Sequence, residues 1–341
     1  MASVSKRRLA ATAPQLAGVV FTLFGLLVVT FIIGRVIPID PVLAVVGDRA
    51  SPETYAAAKV AMGLDRSLAI QFGLYLQGVF SGDFGTSVVT TRPVVDDIVR
   101  YFPATMELAT VAIMIGIALG VPAGVLAASR RGRWPDHLVR VVSLLGYSTP
   151  AFWLAMIVLL VFYANLGWAA GPGRIDVYYE DIVAPVTGLL LFDAALDGEW
   201  AILGNALSHL ALPALVLGSF SVAYIARMTR SLMVEQLGQE YVLAARAKGM
   251  SEARVVWRHA LANAAVPLVT VVALSYGALL EGSVLTETVF AWPGLGSYMT
   301  NSLLNADMNA VLGSTLVIGV VFLGLNLIAD LLYTLLDPRV S

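Results

Sequence analysis

Cysteine is absent from this 341-residue chain, which excludes disulfides, thiolate metal sites and a cysteine nucleophile. Charge is scarce as well: 13% of the residues are Asp, Glu, Lys or Arg, about half of the ~25% usual in a soluble domain. A net charge of -2 gives no basic field for nucleic acid. There are three histidines, His137, His209 and His259, and no H-E-x-x-H pattern, so a zinc enzyme lacks its ligands. No G-x-x-x-x-G-K-S/T occurs either, so the chain has no P-loop with which to cradle nucleotide phosphates.

What the chain has instead is apolar length. Hydrophobic residues make up 58% and the mean hydropathy is +0.82, which places it in the membrane class. A spanning helix needs about 20 mostly apolar residues. Six stretches qualify, roughly 14–34, 104–128, 141–164, 207–226, 264–286 and 309–335. The expected fold is therefore all-α and integral to the membrane, with six transmembrane helices. The first follows Lys6, Arg7 and Arg8 but is too long for a signal peptide and lacks a small-x-small cleavage site before Arg35 and Pro38, so it reads as an uncleaved anchor. The apolar run 182–192 is 11 residues, too short to cross at about 1.5 Å per residue, and reads as interfacial or re-entrant.

Basic residues orient the helices. Segment 129–140 carries Arg130, Arg131, Arg133 and Arg140, and 227–263 carries Arg227, Arg230, Arg246, Lys248, Arg254 and Arg258. Segment 165–206 has Arg174 alone, and 287–308 has none. This alternation predicts cytoplasmic termini, with 36–102 and 165–206 outside. In 36–102, Pro52 opens a short helix, 64–80 has apolar residues at helical spacing, and Gly82-Asp83-Phe84-Gly85 forms a tight turn.

Within the spans, Gly116, Gly120 and Gly124 share one helix face, a spacing that lets two backbones approach closely in lipid. Pro150 and Pro213 free backbone carbonyls that lipid cannot satisfy, and Ser148 and Thr149 stand beside the first. Ionisable groups in or near the hydrocarbon are Glu107, His209, Glu281 and Asp330. Such groups face protein or water, because a charge at the bilayer centre costs at least about 2.5–3.5 kcal/mol. Glu107, Ser148, Thr149 and Glu281 are the candidates to line a translocation path, while each carboxylate also has a structural reading. His209 reads as structural rather than as a proton relay.

The loop 227–263 is the most informative segment. Helix formers run to Lys248, Gly249 fits the left-handed position that ends helices, and Ser251 fits the start of another. The product is a helix–glycine–helix elbow, too apolar for a plain linker, which suits docking into a partner. Its residues Ala244-Ala245-Arg246-Ala247-Lys248-Gly249 and Arg258-His259-Ala260-Leu261 resemble the dipeptide/oligopeptide/nickel branch of ABC importer permeases, in particular the first of its two permease subunits. The likeness extends along the chain. It includes Gly63-Leu64-Asp65, Gly82-Asp83-Phe84-Gly85-Thr86-Ser87, Pro103-Ala104-Thr105-Met106-Glu107-Leu108, Thr149-Pro150-Ala151-Phe152, His209-Leu210-Ala211-Leu212-Pro213, Glu287 through Gly296, and Asp337-Pro338-Arg339.

The resemblance implies a type I importer permease fold in a bacterial plasma (inner) membrane. Residues 1–101 would form the first helix and an extracytoplasmic segment that helps receive a binding protein, and 102–334 the permease core. It also implies a second homologous permease, two ATP-binding subunits and an external substrate-binding protein, with ATP and Mg held by the partner subunits and no cofactor in this chain. The elbow would be the ATPase-coupling loop, through Ala244, Ala245, Arg246, Lys248 and Gly249. The family's usual glutamate is replaced there by Leu243, and Arg246 and Lys248 are candidates for polar contact. Peptide is the expected cargo, with nickel complexes, glutathione or sugars as alternatives within the branch. A proton-coupled secondary transporter is the rival class, but it would need midplane acid–base residues in related halves, and no half-repeat is visible. The purified chain alone is expected to show no saturable ATP binding up to about micromolar nucleotide, as measured by equilibrium dialysis.

Overall fold

The structure is a computed structural model, and it describes residues 18–34, 41–47 and 49–336. Lys6 to Arg8, the start of the first apolar stretch at 14–17, Arg35, Pro38 and Asp337-Pro338-Arg339 lie outside the described residues. The helices in chain order are α1 (Gly18–Gly34), α2 (Pro41–Val46), α3 (Pro52–Ala61), α4 (Leu68–Ser81), α5 (Val94–Ser129) and α6 (Trp134–Ser148). They continue with α7 (Ala151–Asn165), α8 (Leu190–Leu196), α9 (Trp200–Leu237) and α10 (Glu240–Ala247). The last are α11 (Glu252–Val289), α12 (Leu295–Leu304) and α13 (Met308–Leu336). Among the described residues the only extended pairing is an isolated bridge between Thr86 and Pro93.

Four helices, α5, α9, α11 and α13, are each long and apolar enough to cross a membrane. The pair α6/α7 passes the same test jointly, but it is bent by 100°. The described residues therefore hold four or five spans rather than the six expected. Two of the six expected stretches account for the difference. Of the first, 14–34, the seventeen residues Gly18–Gly34 are described, about 25 Å of helix against a ~30 Å hydrocarbon core. The stretch 141–164, expected as one kinked span, is instead two helices meeting at Pro150. Proline pushes the residue before it out of helical angles, and Thr149 is extended at φ -87°, ψ 124°. Thr149 N and Oγ1 both donate to the Leu145 carbonyl, at 3.0 and 2.7 Å, and so close the end of α6.

Helices also outrun their apolar stretches. α5 begins at Val94 and carries Pro103 and Pro122 inside it, whereas the apolar run starts near 104. α9 continues through Pro213 and on to Leu237, so the first part of the loop expected at 227–263 is helical. Two helices contain a wider π-helical turn: Leu159–Asn165 in α7 and Val255–Ala260 in α11.

The described chain divides into two compact units. One holds the residues up to Arg100 with Tyr298–Leu323, and the other Tyr101–Ser297 with the residues from Gly324. In the first unit, Ser51 caps α3 by accepting from Thr54 N at 3.1 Å, and Pro52 occupies the first helical turn. Phe31 of α1 meets Phe72 of α4 edge-on, with ring centroids 5.1 Å apart. Gly82 and Gly85 have φ of 75° and 81°, and Asp83 Oδ1 accepts from Gly85 N at 2.9 Å to close the turn between them. Buried Asp307 organises the segment after this turn. It accepts from Ser87 Oγ at 2.5 Å and Val89 N at 3.2 Å, and caps α13 through Ala310 N at 3.3 Å.

In the second unit, α5 packs on α9 along the glycine face. A β-carbon on Gly120 would meet the Val222 carbonyl oxygen at 3.1 Å, and one on Gly124 would meet the Ala226 carbonyl oxygen at 2.6 Å. Gly116 faces Ser221. From α9, Gly218 faces the Ala112 carbonyl in return. Further along, Val125 and Ala128 of α5, Met233 of α9 and Val256, Ala260 and Ala264 of α11 form one buried apolar cluster. Gly124→Ala should therefore destabilise this unit by about 1–3 kcal/mol, the usual cost of overpacking. Gly204→Ala on α9, where a β-carbon would meet nothing, should be neutral or stabilising by up to ~1 kcal/mol. Thermal unfolding of the two purified variants checks the contrast.

Candidate functional site

The elbow is built from α10, the turn at Gly249 and the start of α11. Gly249 has φ 78°, a left-handed angle that disfavours any side chain. Ser251 stands at the head of α11 in extended conformation but makes no side-chain cap; its carbonyl accepts from Val255 N at 3.0 Å. Val242, Ala245 and Val255 pack together with Met250 against them. Arg246 closes the elbow from outside with a two-pronged bond to Glu252, Nε to Oε2 at 3.1 Å and Nη2 to Oε1 at 2.6 Å. Of the expected coupling residues, Ala245 is thus internal and Arg246 is spent on Glu252, while Ala244, Lys248 and Gly249 are exposed. Leu243 is 60% exposed.

The four expected path residues are not linked to one another by any hydrogen bond or ion pair among the described residues. A cavity of about 460 Å³ lies between α6, α9 and α11, with Tyr147, Ala151, Ser221, Tyr224, Ser275 and Gly282 among its walls. Ser148 and Thr149 adjoin Tyr147 in the chain, and Glu281 adjoins Gly282. Arg227 lies over the Tyr147 ring at 4.7 Å and the Tyr224 ring at 5.9 Å. Glu281 and Ser148 are exposed, and Thr149 is half-buried.

Glu107 is elsewhere and fully occupied. It is 6% exposed, and its Oε2 accepts from Arg174 Nε at 3.1 Å and Nη2 at 2.7 Å. Its Oε1 accepts from Leu191 N at 2.7 Å. Arg174 also donates to the Gly188 carbonyl at 3.0 Å. The apolar run 182–192 is consequently a loop leading into the seven-residue α8, and α8 is too short to cross. Asp193 fastens that loop, accepting from Thr187 Oγ1 at 2.7 Å and Gly188 N at 2.9 Å. Burial raises the Asp193 pKa, but these donors outweigh it and hold the carboxyl below the ordinary range. His209 sits between the Asn205 carbonyl (Nδ1, 3.0 Å) and Asp176 (Nε2, 3.4 Å).

Asp136 and Glu287 are buried acids to which the sequence reading gave no role. Asp136, fully buried on α6, accepts from Arg230 of α9 (Nε, and Nη2 at 3.1 Å), from Arg140 at 3.0 Å and from Gly132 N at 2.9 Å. Glu287, also fully buried, takes Thr105 Oγ1 and Ser283 Oγ on Oε1, each at 2.8 Å, and Ser297 N on Oε2 at 3.0 Å. Thr105 Oγ1 accepts from Leu295 N at 2.8 Å, and Trp292 Nε1 donates to the Ala104 carbonyl at 2.9 Å. A β-carbon on Gly294 or Gly296 would strike the Glu287 carboxylate. The run Glu287–Gly296 is therefore wrapped around its own first side chain, which explains its two crowded glycines. The available signal was an acid opening a Trp-Pro-Gly turn.

The chain matches the family described as "Binding-protein-dependent transport system inner membrane component" over residues 120–341, and the corresponding N-terminal family over residues 12–109. It belongs to the permease family of binding-protein-dependent ABC importers. As a member it is a transport subunit rather than an enzyme, and a multi-pass inner-membrane protein. Membership implies the general importer architecture of permeases, ATPase and substrate-binding protein. Similar proteins include the probable D,D-dipeptide transport system permease DdpB of Escherichia coli K12, 44% identical over 95% of each chain. The di/tripeptide permease DppB of Pseudomonas aeruginosa is 42% identical over 96% of this permease and 97% of its own length. A chain of the inward-facing MetNI methionine ABC transporter superposes with a TM-score of 0.52 at 17% identity, covering 70% of this permease and 96% of that chain, which places the fold with such permeases. Glu287→Ala should strand three donors at about 1–3 kcal/mol for each buried orphan and lower the yield of folded permease sharply. Glu287→Gln, which keeps an acceptor, should be milder; membrane yield and melting temperature measure both.

Proposed function

We propose that this permease forms half of the translocation pathway for di- or oligopeptides, beside a second homologous permease and above two ATP-binding subunits, with peptide delivered by an external binding protein. The observation that carries the reading is its likeness, over at least 95% of its length, to permeases named for D,D-dipeptide, di/tripeptide and dipeptide transport. In this reading α1, α5, the bent pair α6/α7, α9, α11 and α13 make six spans. Both termini are cytoplasmic, as the alternation of basic loops requires. Residues 1–101 supply the first span and the segment that meets the binding protein, and 102–334 the permease core.

The elbow at 227–263 enters the ATPase. Arg246 fixes its shape through Glu252, and exposed Leu243, Ala244 and Lys248 present its contact surface. Ser148, Thr149 and Glu281 flank the cavity between α6, α9 and α11, which serves as this chain's share of the path. Glu107 serves that path indirectly by pinning Arg174 and the loop before α8.

The test is uptake by the assembled transporter in vesicles, with ATPase rate measured with and without loaded binding protein. Labelled dipeptide should accumulate with ATP; accumulation of nickel complexes, glutathione or sugars in its place would replace the cargo assignment. Gly249→Val should lose stimulated hydrolysis and uptake while inserting normally. A β-carbon there has open space, so the penalty is the backbone's alone, about 1–2 kcal/mol, enough to misplace a docking element but not to unfold the spans. Wild-type coupling in that variant would sink the assignment of the elbow.

A further inference from the structure

The cavity between α6, α9 and α11 has no charged residue in its walls, but a charge stands near each end of it. Its two long helices run antiparallel. Ser221 Oγ of α9 and Ser275 Oγ of α11 lie 3.3 Å apart, while Met233, later on α9, packs with Val256, Ala260 and Ala264, earlier on α11. Arg227 comes six residues after Ser221, and Glu281 six residues after Ser275. They therefore leave the paired serines in opposite directions, with roughly 18 Å of helix rise between their α-carbons.

Each charge stands on the edge of a stripe that faces the cavity. Arg227 lies about two helical turns beyond Phe220, and Glu281 about two turns beyond Leu274; both of those residues are walls. Gly282, beside Glu281, is a wall as well, and a β-carbon there would meet nothing. Helical side chains lean towards the start of their own helix, which on two antiparallel helices means back towards the serines. Arg227 follows this rule: its guanidinium lies over the ring of Tyr224, one turn back, and over Tyr147 of α6. Stacking uses the face of the guanidinium and leaves its N–H edge for an anion. Both Arg227 and Glu281 are exposed, and among the described residues neither is in an ion pair.

A cation and an anion placed at the two ends of an uncharged space suit a ligand that is itself negative at one end and positive at the other. A peptide of two to four residues is such a molecule, about 7–14 Å long at 3.3–3.6 Å per residue, which fits between side chains that lean together across ~18 Å of backbone. A neutral sugar offers nothing to either charge. We propose that the cavity selects zwitterionic peptides by their ends, Arg227 receiving the C-terminal carboxylate and Glu281 the N-terminal ammonium. The proposal rests on this cavity being the chain's share of the path. The hydroxyls of Ser221 and Ser275 stand midway, where the amide groups of the peptide would pass.

Three probes test it on the assembled transporter: a dipeptide with a photoactivatable side chain, its C-terminal amide and its N-acetyl form. Mass spectrometry reads the labelling of cavity walls such as Tyr147, Phe220 and Leu274. In wild type the free dipeptide should label them at least about fivefold more than either capped form, roughly 1 kcal/mol for each end. Arg227→Gln should abolish the preference for carboxylate over amide and keep that for the free amine, and Glu281→Gln should do the reverse. Arg227→Lys, which keeps the charge, should keep both preferences. Variants that change all three probes by the same factor have a structural role only, and that result overturns the proposal. So does equal labelling by the three probes in wild type, a comparison that needs no variant to assemble. Walls labelled by no probe overturn the path reading together with the proposal, whereas labelling that ignores the end groups overturns the end selection alone.

Discussion

How near α5 can come to α9 is set by three hydrogen atoms, those that Gly116, Gly120 and Gly124 carry where other residues have a β-carbon. In lipid there is no hydrophobic drive between helices, so backbone proximity and dispersion must supply the association. With the two axes this close, the rest of the second unit can be placed. Met233 reaches Val125 and the start of α11 in one apolar cluster, and α6 comes near enough for Ser143 Oγ to donate to the Ala223 carbonyl at 3.0 Å. The same proximity brings Asp136 of α6 within reach of Arg230 on α9.

Around that contact, polar pairs far apart in sequence fasten the ends of the helices. Asp136 with Arg230 holds α6 to α9, Glu107 with Arg174 holds a loop to α5, and Glu287 with Thr105 holds the turn after α11 to α5. Each buried carboxylate is met by several donors, as groups removed from water require. A half-satisfied cluster of this kind costs more than an apolar one. The arrangement therefore gives geometric definition at helix ends, where regular backbone bonding stops and irregular loops begin.

Much of this was legible in the sequence. Spans show as long apolar runs, and the left-handed turn at Gly249 shows as helix formers halted by a glycine. The glycine face of α5 was visible, though not its partner, because spacing on one helix says nothing about what approaches it. The 100° bend at Pro150 read as a mere kink: a proline reports that a helix is perturbed, not by how much. Helix ends were missed at Val94 and Leu237 because hydropathy follows the membrane, whereas hydrogen bonding continues through charged residues such as Asp97 and Arg230. Asp136 and Glu287 lie at the borders of apolar runs, where an acid looks solvated until its tertiary partners are known. Glu107 attracted attention for its depth, but only geometry reveals Arg174, 67 residues away.

The widened turn at Val255–Ala260 stands between the elbow and the span of α11. A π turn holds one residue more than an α turn, and one residue corresponds to about 100° of rotation around a helix axis. The stripe of side chains facing inward along the span therefore does not continue onto the elbow side; the two stretches are set out of phase by that extra residue. Removing one residue from this segment would leave length and composition almost untouched, yet it would take away the extra residue that separates the two phases. The joint thereby sets which face of the elbow lies above which face of the span.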